Sequence, residues 1–334
     1  MATIDLTKIQ YFVTAVLSDG RLMHLENVAE NIAWEENEKE LSVRLNLTLR
    51  DIPFEGSRLS KQLALCTIVY VYAKIEDEPQ EEVFRGTIWE WEHSDVDDDD
   101  IIVTAYDMLY YLEKSTSSFY KPKGESTESI CRAILAEWSV PSGDYSGPTY
   151  IHEKTLYKNK TIHAMLSETL DEAKKKTGVV SVIRAANGLC EIVERGQNSD
   201  IWTFAVDTNV TSLKDKYSMT DLVTRVVVLG KDDKNGRPKV EATLDGKTEY
   251  GILQTVKTRG STSLEDAKKE AQELLNEKGT PTRTITVVAP DIPTLRKGDL
   301  IYLKADRMEG YFYVKGVGHN ATSMSMQMEV EPYE

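Results

Sequence analysis

Cysteine is scarce in this sequence, with three residues among 334. Cys66, Cys131 and Cys190 lie roughly 60 residues apart and form no C-x-x-C pair, so the sequence encodes neither a zinc ribbon nor a disulfide scaffold. Apolar runs are also short, and none approaches the roughly 20 residues that a membrane helix needs. Residues 1–10 carry Asp5 and Lys8 where a secretory signal would be apolar. We therefore expect synthesis in the cytoplasm, without membrane insertion or export by a visible signal.

Positive charge is in deficit. The sequence has 40 Lys and Arg against 55 Asp and Glu, a net charge of -15 at pH 7. Nucleic-acid binders gain affinity by neutralising phosphates, so this balance argues against specific or general nucleic-acid binding. A hydrophobic fraction of 40% excludes a wholly disordered chain, and the length favours two or three domains.

Catalytic and metal-binding motifs are missing. No serine lies in G-x-S-x-G, and no cysteine has the sequence context of a nucleophile. The five histidines are His24, His93, His152, His163 and His319. No two of them occur at the spacing of metal ligands. Adjacent acidic pairs are about as frequent as chance predicts, and the acidic run 97–100 lacks the spaced ligands of a calcium loop. The sequence thus predicts no catalytic, cofactor-binding or metal-binding residue, no cofactor and no enzymatic activity, with His152 and His163 at the surface.

Strand signals dominate both ends of the chain. Residues 41–50 alternate between apolar and polar side chains, as in a half-buried strand. Near the N-terminus, Asp19-Gly20 follows an apolar segment and is typical of a hairpin turn. The other predicted strands are residues 11–17, 68–73, 83–91, 101–106, 222–229, 240–244, 284–289, 299–304, 311–317 and 323–330.

The centre of the chain has helical periodicity. Ser126 and Thr161 are predicted N-caps of two amphipathic helices, the second ending at Gly178. Asn187-Gly188 predicts a type I′ turn between strands at 179–185 and 189–193. A further helix over 263–278 begins at the predicted cap Ser263. The fold class is therefore α+β, mostly β, with two strand-rich ends around a small α+β centre.

Two residue patterns allow more than one interpretation. Met324, Met326 and Met328 share a strand face, which favours core packing over a copper site. Tyrosine is abundant, with 16 Tyr against 6 Phe. We assign Tyr70, Tyr72, Tyr110 and Tyr111 to strands, on surfaces that suit either subunit contacts or carbohydrate stacking.

Several segments, taken in order, resemble the XkdQ/YqbQ-like tail proteins of phages, defective prophages and phage-tail-like bacteriocins. No single motif is diagnostic, and the order and spacing carry the likeness, which covers nearly the whole chain. The segments are 104–109 (Thr-Ala-Tyr-Asp-Met-Leu) with 112–115, 157–162 leading to Thr177-Gly178, 223–230, 295–301 (Leu-Arg-Lys-Gly-Asp-Leu-Ile), 310–314, and His319 with the methionine strand.

This resemblance implies a baseplate hub protein of a contractile tail. Such a hub is a homotrimer in which each subunit supplies two tube-like β-barrel domains, so that the ring adapts a hexameric tail tube to a trimeric central spike. The implied domains are an N-terminal β-barrel at 1–114, an α+β middle domain at 115–215 and a C-terminal β-barrel with one helix at 216–334. The implied partners are the chain itself, the spike protein, the tail tube protein and other baseplate proteins, with the tape-measure protein as a further candidate.

The same resemblance places the protein in the baseplate of a virion or bacteriocin particle, after synthesis in the bacterial cytoplasm. We further expect the loops 95–100 and 232–236 to contact other tail components, because binding often resides in loops on a rigid scaffold. Two alternatives stay open at this point. One is a cell-wall-binding or peptidoglycan-hydrolysing module of the cell-puncturing apparatus, and the other is a tail tube or spike-adaptor protein.

Overall fold

A computed structural model describes residues 8–54, 56–93, 99–232 and 236–333. Most of the two predicted contact loops, at 95–98 and 233–235, lies outside these ranges, as do residues 97 and 98 of the acidic run 97–100. No helix among the described residues combines the length and apolar character needed to cross a membrane.

Strands form the N-terminal part of the chain. They are β1 (Ile9–Val16), β2 (Leu22–His24), β3 (Ala29–Glu36), β4 (Val43–Arg50), β5 (Pro53–Phe54), β6 (Ser57–Arg58), β7 (Ile68–Ile75), β8 (Glu81–His93) and β9 (Asp100–Tyr106), with a 3-10 turn at Leu59–Lys61. The predicted alternation at 41–50 is confirmed as β4, whose Leu45, Leu47 and Leu49 are buried.

The middle of the chain is mixed. Its elements are α1 (Tyr110–Lys114), β10 (Thr116–Lys121), α2 (Thr127–Glu137), β11 (Ser142–Tyr145), β12 (Thr155–Thr161), α3 (Ile162–Thr177), β13 (Ser181–Ala186) and β14 (Leu189–Glu194). The predicted caps are confirmed, because the side chains of Ser126 and Thr161 accept hydrogen bonds from the backbone three residues on. Gly178 ends α3 in the left-handed conformation, at φ +79°.

Strands return in the last third. They are β15 (Trp202–Ala205), β16 (Ser212–Ser218), β17 (Arg225–Asp232), β18 (Pro238–Asp245), β19 (Gln254–Thr258), then α4 (Leu264–Lys278), β20 (Thr282–Pro290), β21 (Leu300–Ala305), β22 (Met308–Asn320) and β23 (Ser325–Pro332), with a 3-10 turn at Thr248–Tyr250. The cap of α4 at Ser263 is confirmed. Met326 and Met328 of β23 are buried in the core as predicted, but Met324 lies in the preceding turn with φ +50° and not in the strand.

The chain forms two compact units. The large unit contains Met1–Leu213 and Thr286–Glu334, and the inserted unit contains Lys214–Ile285. Residues 286–334 share the large unit because β22 pairs with β3, from Val317↔Glu36 to Asn320↔Ala33. The division at 1–114, 115–215 and 216–334 stays a prediction.

Most strands belong to one sheet with the order β16-β20-β23-β22-β3-β4-β9-β8-β7-β1-β2, and β21 and then β15 extend from β22. The pairings between described strands run as an open path and do not close into a barrel. The fold is thus α+β and mostly β, as predicted, and the chain's strand-rich ends are joined edge to edge by β3 and β22.

Candidate functional site

A tight turn between β20 and β21 presents a group of buried charges in the large unit. The backbone N–H of Arg296 donates to Asp299 Oδ2 at 2.9 Å, and Gly298 occupies the left-handed region at φ +93°. A Cβ at Gly298 would lie 2.6 Å from a methyl group of Val182, so only glycine fits this position without displacement. The turn therefore fixes the direction of its two cations, Arg296 and Lys297.

Arg296 joins three parts of the sequence. Its Nε donates to Glu36 Oε1 at 2.6 Å, at the end of β3, and its Nη1 donates to the carbonyl oxygen of Ala185 at 2.8 Å, in β13. Burial pulls the pKa of Glu36 upward, but the charge and hydrogen bond of Arg296 outweigh burial and leave that pKa below its ordinary value. Glu36 and Arg296 thus form a buried ion pair at neutral pH.

Lys297 holds the connection between β3 and β4. Its Nζ donates to the carbonyl oxygens of Glu40 at 2.7 Å and Asn37 at 3.2 Å, while only 7% of the residue is exposed. Burial lowers the pKa of Lys297. The side chain therefore ties the turn at the carbonyl groups of Asn37 and Glu40 to the β20–β21 connection.

Two acidic side chains complete the cluster from the start of the middle segment. Glu113 Oε1 accepts from the backbone N–H groups of Leu41 at 2.7 Å and Ser42 at 2.8 Å. Asp107 accepts from the N–H of Val43 at 3.0 Å and of Leu109 at 2.9 Å, and burial raises its pKa to about 7. We name Glu36, Asp107, Glu113, Arg296, Lys297 and Asp299 the buried ionic cluster.

The hydrogen bonds and ion pairs of the buried ionic cluster hold separate segments of the chain together, which is a structural role. Each acid in the cluster accepts hydrogen bonds from fixed donors of the protein, and Asp107, which is only 3% exposed, accepts from two backbone N–H groups. The cluster also gathers three of the segments that carry the family resemblance, 104–109, 112–115 and 295–301. The charges of these segments are separated by up to about 190 positions in the chain, so their spacing gave no sign that they meet.

A cavity of about 320 Å³ lies beside the cluster, and Asp107 and Arg296 contribute to its wall. Most of the lining is apolar and comes from β7, β8, α1 and the β13–β14 hairpin, including Phe84, Tyr70 and Tyr111. Such a space suits an apolar side chain better than a polar substrate.

A second buried network surrounds His319 of β22. Its Nδ1 lies 2.6 Å from Asp291 Oδ1, and its Nε2 lies 3.0 Å from the carbonyl oxygen of Leu295. The carboxylate of Asp291 and the carbonyl oxygen of Leu295 thus hold the imidazole in one orientation from both sides. Tyr11 donates to the other oxygen of Asp291, and Trp34 stacks on the imidazole at 4.7 Å. These contacts tie β1 and β3 to the C-terminal strands.

The surface positions predicted for two histidines are not what the structure shows. His152 is buried, with Nε2 at 3.0 Å from Thr127 Oγ1 and Nδ1 at 3.1 Å from Glu172 Oε2. The cause is a pairing between the segments before α2 and before β12, in which His152 exchanges backbone hydrogen bonds with residues 124 and 125. His163 is half-buried on α3, and burial lowers its pKa.

Long-range folding also brings three candidate metal ligands together, although their spacing in the sequence gave no signal. His93 Nε2 lies 3.1 Å from Asp51 Oδ2 and 3.5 Å from Asp99 Oδ1. Arg58 Nη1 lies between the same carboxylates, 3.2 Å from Asp51 and 2.5 Å from Asp99. Ser60 donates to Asp51 from both its backbone N–H and its hydroxyl. The guanidinium and the serine already supply the donors that these carboxylates need, so the group is a salt-bridged brace.

Aromatic side chains cluster on the outer face of β7, β8 and β9. Trp89 contacts Tyr110 edge to face at 4.7 Å, and Tyr110 stacks on Tyr106 at 3.8 Å. Tyr110 and Tyr111 lie in α1, so their assignment to a strand was wrong. The sequence Tyr110–Lys114 forms one helical turn directly after β9, which a two-residue aromatic pattern does not distinguish from a strand.

A further tyrosine group lies at the C-terminal strands. Tyr302 and Tyr311 are cross-strand partners, and Tyr333 packs against Tyr311. Tyr311 and Tyr333 are 48% and 54% exposed. Exposed tyrosines of this kind suit contacts with another protein surface.

The chain is similar in sequence to known proteins. A family model described as YQBQ-like matches residues 32–331. An uncharacterised Bacillus subtilis protein, YqbQ, is 24% identical over 226 residues, which are 66% of this chain and 68% of that protein.

Solved structures share the fold. A tail protein from Neisseria meningitidis MC58 superposes with a TM-score of 0.64 at 12% identity and covers 96% of both chains. The E. coli c3393 protein superposes with a TM-score of 0.54 at 12% identity, over 92% of this chain and 74% of that one. It is described as a component of the type VI secretion system with structural similarity to the bacteriophage T4 tail proteins gp27 and gp5.

Proposed function

Because this chain belongs to the YQBQ-like family, we propose that it is a structural baseplate hub protein of a contractile tail, in a phage or a phage-tail-like bacteriocin. In this proposal three copies form a ring at the distal end of the tail tube, and the ring adapts a hexameric tube to a trimeric central spike. The observation that carries the proposal is the shared fold, over nearly the whole chain, with a protein named for its place in a tail.

We propose that each subunit supplies two tube-like domains, one from each strand-rich end of the chain. The N-terminal strands and the C-terminal strands are separate in sequence but join edge to edge at β3 and β22. Three such subunits offer six strand-rich domains, which is the number that a hexameric tube requires. We propose that these domains lie within 1–114 and 216–334, with 115–215 as the α+β domain between them.

The buried ionic cluster supports a rigid subunit. Arg296 and Lys297 bind groups at the end of β3 and in the connection to β4, close to the β3–β22 seam. A fully hydrogen-bonded polar network inside the protein holds its members in one arrangement. A ring that connects a tube to a spike needs such a fixed geometry, and the cluster provides it where the two strand-rich ends meet.

The proposed partners follow from the same fold. The E. coli relative is described as similar to two T4 tail proteins, and we propose a spike protein and a tail tube protein as direct neighbours of this chain. Other baseplate proteins and the tape-measure protein are further candidates. The role is non-enzymatic in this proposal, because the buried acids are engaged as acceptors of structural hydrogen bonds.

Two measurements test the proposal. Light scattering of the purified chain over a range of concentrations is expected to give three times 37.7 kDa, or that mass plus the mass of the bound spike when the spike protein is co-expressed. Electron microscopy of particles made without the gene should show tails that fail to assemble a baseplate. Monomers in every mixture, or normal particles without the gene, would refute the hub. A peptidoglycan zymogram with clear bands would instead favour the hydrolytic module.

A further inference from the structure

The inserted unit contains a three-stranded sheet, β18-β17-β19, with one face covered by a helix. On that face, Val226 and Val228 of β17 pack against Ala267, Ala271 and Leu275 of α4. Lys257 of β19 reaches the same helix through an ion pair with Glu270. The strands' alternate residues point to the opposite face, where no described residue of α4 can reach.

The opposite face carries an apolar strip across all three strands. Val227 of the central strand is paired with Val256 of β19, and Leu229 is paired with Val240 of β18. Val240 and Val256 are 56% and 52% exposed. Val227 is only 8% exposed and Leu229 is half-buried, so Val240 and Val256 are the exposed members of the strip, and we name all four residues the open sheet face. β-sheets normally bury a face of this composition against another layer of protein.

Charge is distributed unevenly between the two units. Residues 214–285 contain 14 Lys and Arg against 12 Asp and Glu, whereas the rest of the chain contains 26 against 43. Two copies that approached each other through their large units would bring like charges together, which costs free energy and slows association. The inserted unit is close to neutral, so it can meet the acidic large unit of another copy without that repulsion.

We propose that the open sheet face binds the large unit of a second copy of this chain. This inference rests on the proposed trimeric ring and names the surface through which its subunits meet. The contact is heterologous, since the inserted unit of one copy meets a different surface of the next, and contacts of that kind form a closed ring when the rotation between neighbours is that of the ring's symmetry. The apolar strip supplies the desolvated centre of the interface, and the difference in charge selects the partner surface.

The test is the double substitution Val240→Glu with Val256→Glu in the full chain. Both side chains are more than half exposed, so the fold should persist, which circular dichroism checks. Two acids at the centre of the interface should weaken self-association by at least about 100-fold, because apolar contact is lost and like charges face each other. The matched control is Gln272→Glu with Asn276→Glu, which adds the same charge on the exposed side of α4.

A second comparison isolates the contribution of charge. Val240→Lys with Val256→Lys removes the same apolar contact but places cations opposite an acidic surface. At low salt the lysine variant should associate at least about 10-fold more tightly than the glutamate variant, and the difference should vanish near 1 M salt. Equal association of the two variants at low salt would refute an acidic partner surface.

The outcomes separate this inference from the proposed hub. A trimeric wild type and control, with a monomeric glutamate variant, would support it. A glutamate variant that remains trimeric would overturn the inference and leave the ring in place. A variant that remains trimeric but no longer binds a co-expressed spike or tube protein would assign the face to that partner. A wild type that is monomeric in every mixture would overturn both proposals.

Discussion

The ion pair between Glu36 and Arg296 gives the sharpest prediction about stability. Glu36 is 3% exposed, and the two side chains meet at 2.6 Å between Nε and Oε1. The substitution Glu36→Gln keeps the shape of the side chain but leaves the guanidinium without its nearest counter-ion. The substitution Arg296→Met leaves the carboxylate of Glu36 buried and removes a donor from the carbonyl oxygen of Ala185.

Removing one partner of a buried ion pair typically costs about 3–5 kcal/mol, since an uncompensated charge remains inside the protein. At about 2–4 °C per kcal/mol for a unit of this size, each single variant should unfold roughly 6–20 °C below the wild type. The double variant should lose less than the two single losses together, by about 1–3 kcal/mol, because it contains no unpaired buried charge.

Thermal unfolding followed by circular dichroism at pH 7 measures these differences. The control is the exposed pair of Lys123 and Glu153, whose side chains are 72% and 70% exposed. Glu153→Gln should change the free energy of unfolding by no more than about 1 kcal/mol. If Glu36→Gln were as mild as Glu153→Gln, or if the two losses at Glu36 and Arg296 simply added, the pair would not act as a coupled brace.

Further predictions concern titration, backbone conformation and thiol reactivity. Burial raises the pKa of Asp107 to about 7 from 3.8, so the folded protein holds this proton more tightly than the unfolded chain. The contribution of Asp107 to the free energy of unfolding should therefore decrease by on the order of 4 kcal/mol as the pH rises from about 4 to 7. Asp107→Asn should remove that part of the pH dependence, which denaturant titrations at several pH values measure. If the free energy of unfolding of the variant changed with pH as steeply as that of the wild type, Asp107 would not be the group responsible. Gly298→Ala should cost at least about 2 kcal/mol more than Gly124→Ala, since both glycines have positive φ but only Gly298 has a side chain within 3 Å of the added Cβ. Similar melting temperatures for these two variants would show that the added Cβ at position 298 does not clash with Val182. Cys66 is exposed, whereas burial raises the pKa of Cys131 to about 12, so a thiol reagent should modify Cys66 in the folded protein and the buried cysteines only after denaturation. Rapid modification of all three thiols in the folded protein would contradict their burial.

Local features of the fold were predictable because they depend on a few neighbouring residues. The three helix caps, at Ser126, Thr161 and Ser263, each require only one side chain and a backbone N–H three residues away. Asn187 and Gly188 both have positive φ, as the predicted type I′ turn requires. Period-two alternation likewise located β4, since one face of a strand packs on the core and the other does not.

Short aromatic and histidine patterns were less informative. Tyr110 and Tyr111 form part of a single helical turn, which is too short for its period to be read from the sequence. His152 follows Tyr150 and Ile151, but its burial depends on a pairing with residues before α2, which the local pattern does not show. In both cases the deciding contacts come from outside the pattern.

The sequence by itself determined the three longer helices, most strands, several of the turns between them and the acidic balance of the chain, because propensity, capping and periodicity act over a few residues. Only the tertiary structure decided that β22 pairs with β3, that Arg296 meets Glu36 some 260 positions away, and that residues 214–285 form a unit of their own. Such contacts join residues far apart in the chain, and their free energy comes from burial and charge pairing that exist only after folding. The residues of the buried ionic cluster and of the open sheet face are brought together only by folding. Their roles could therefore not be predicted from their positions in the sequence.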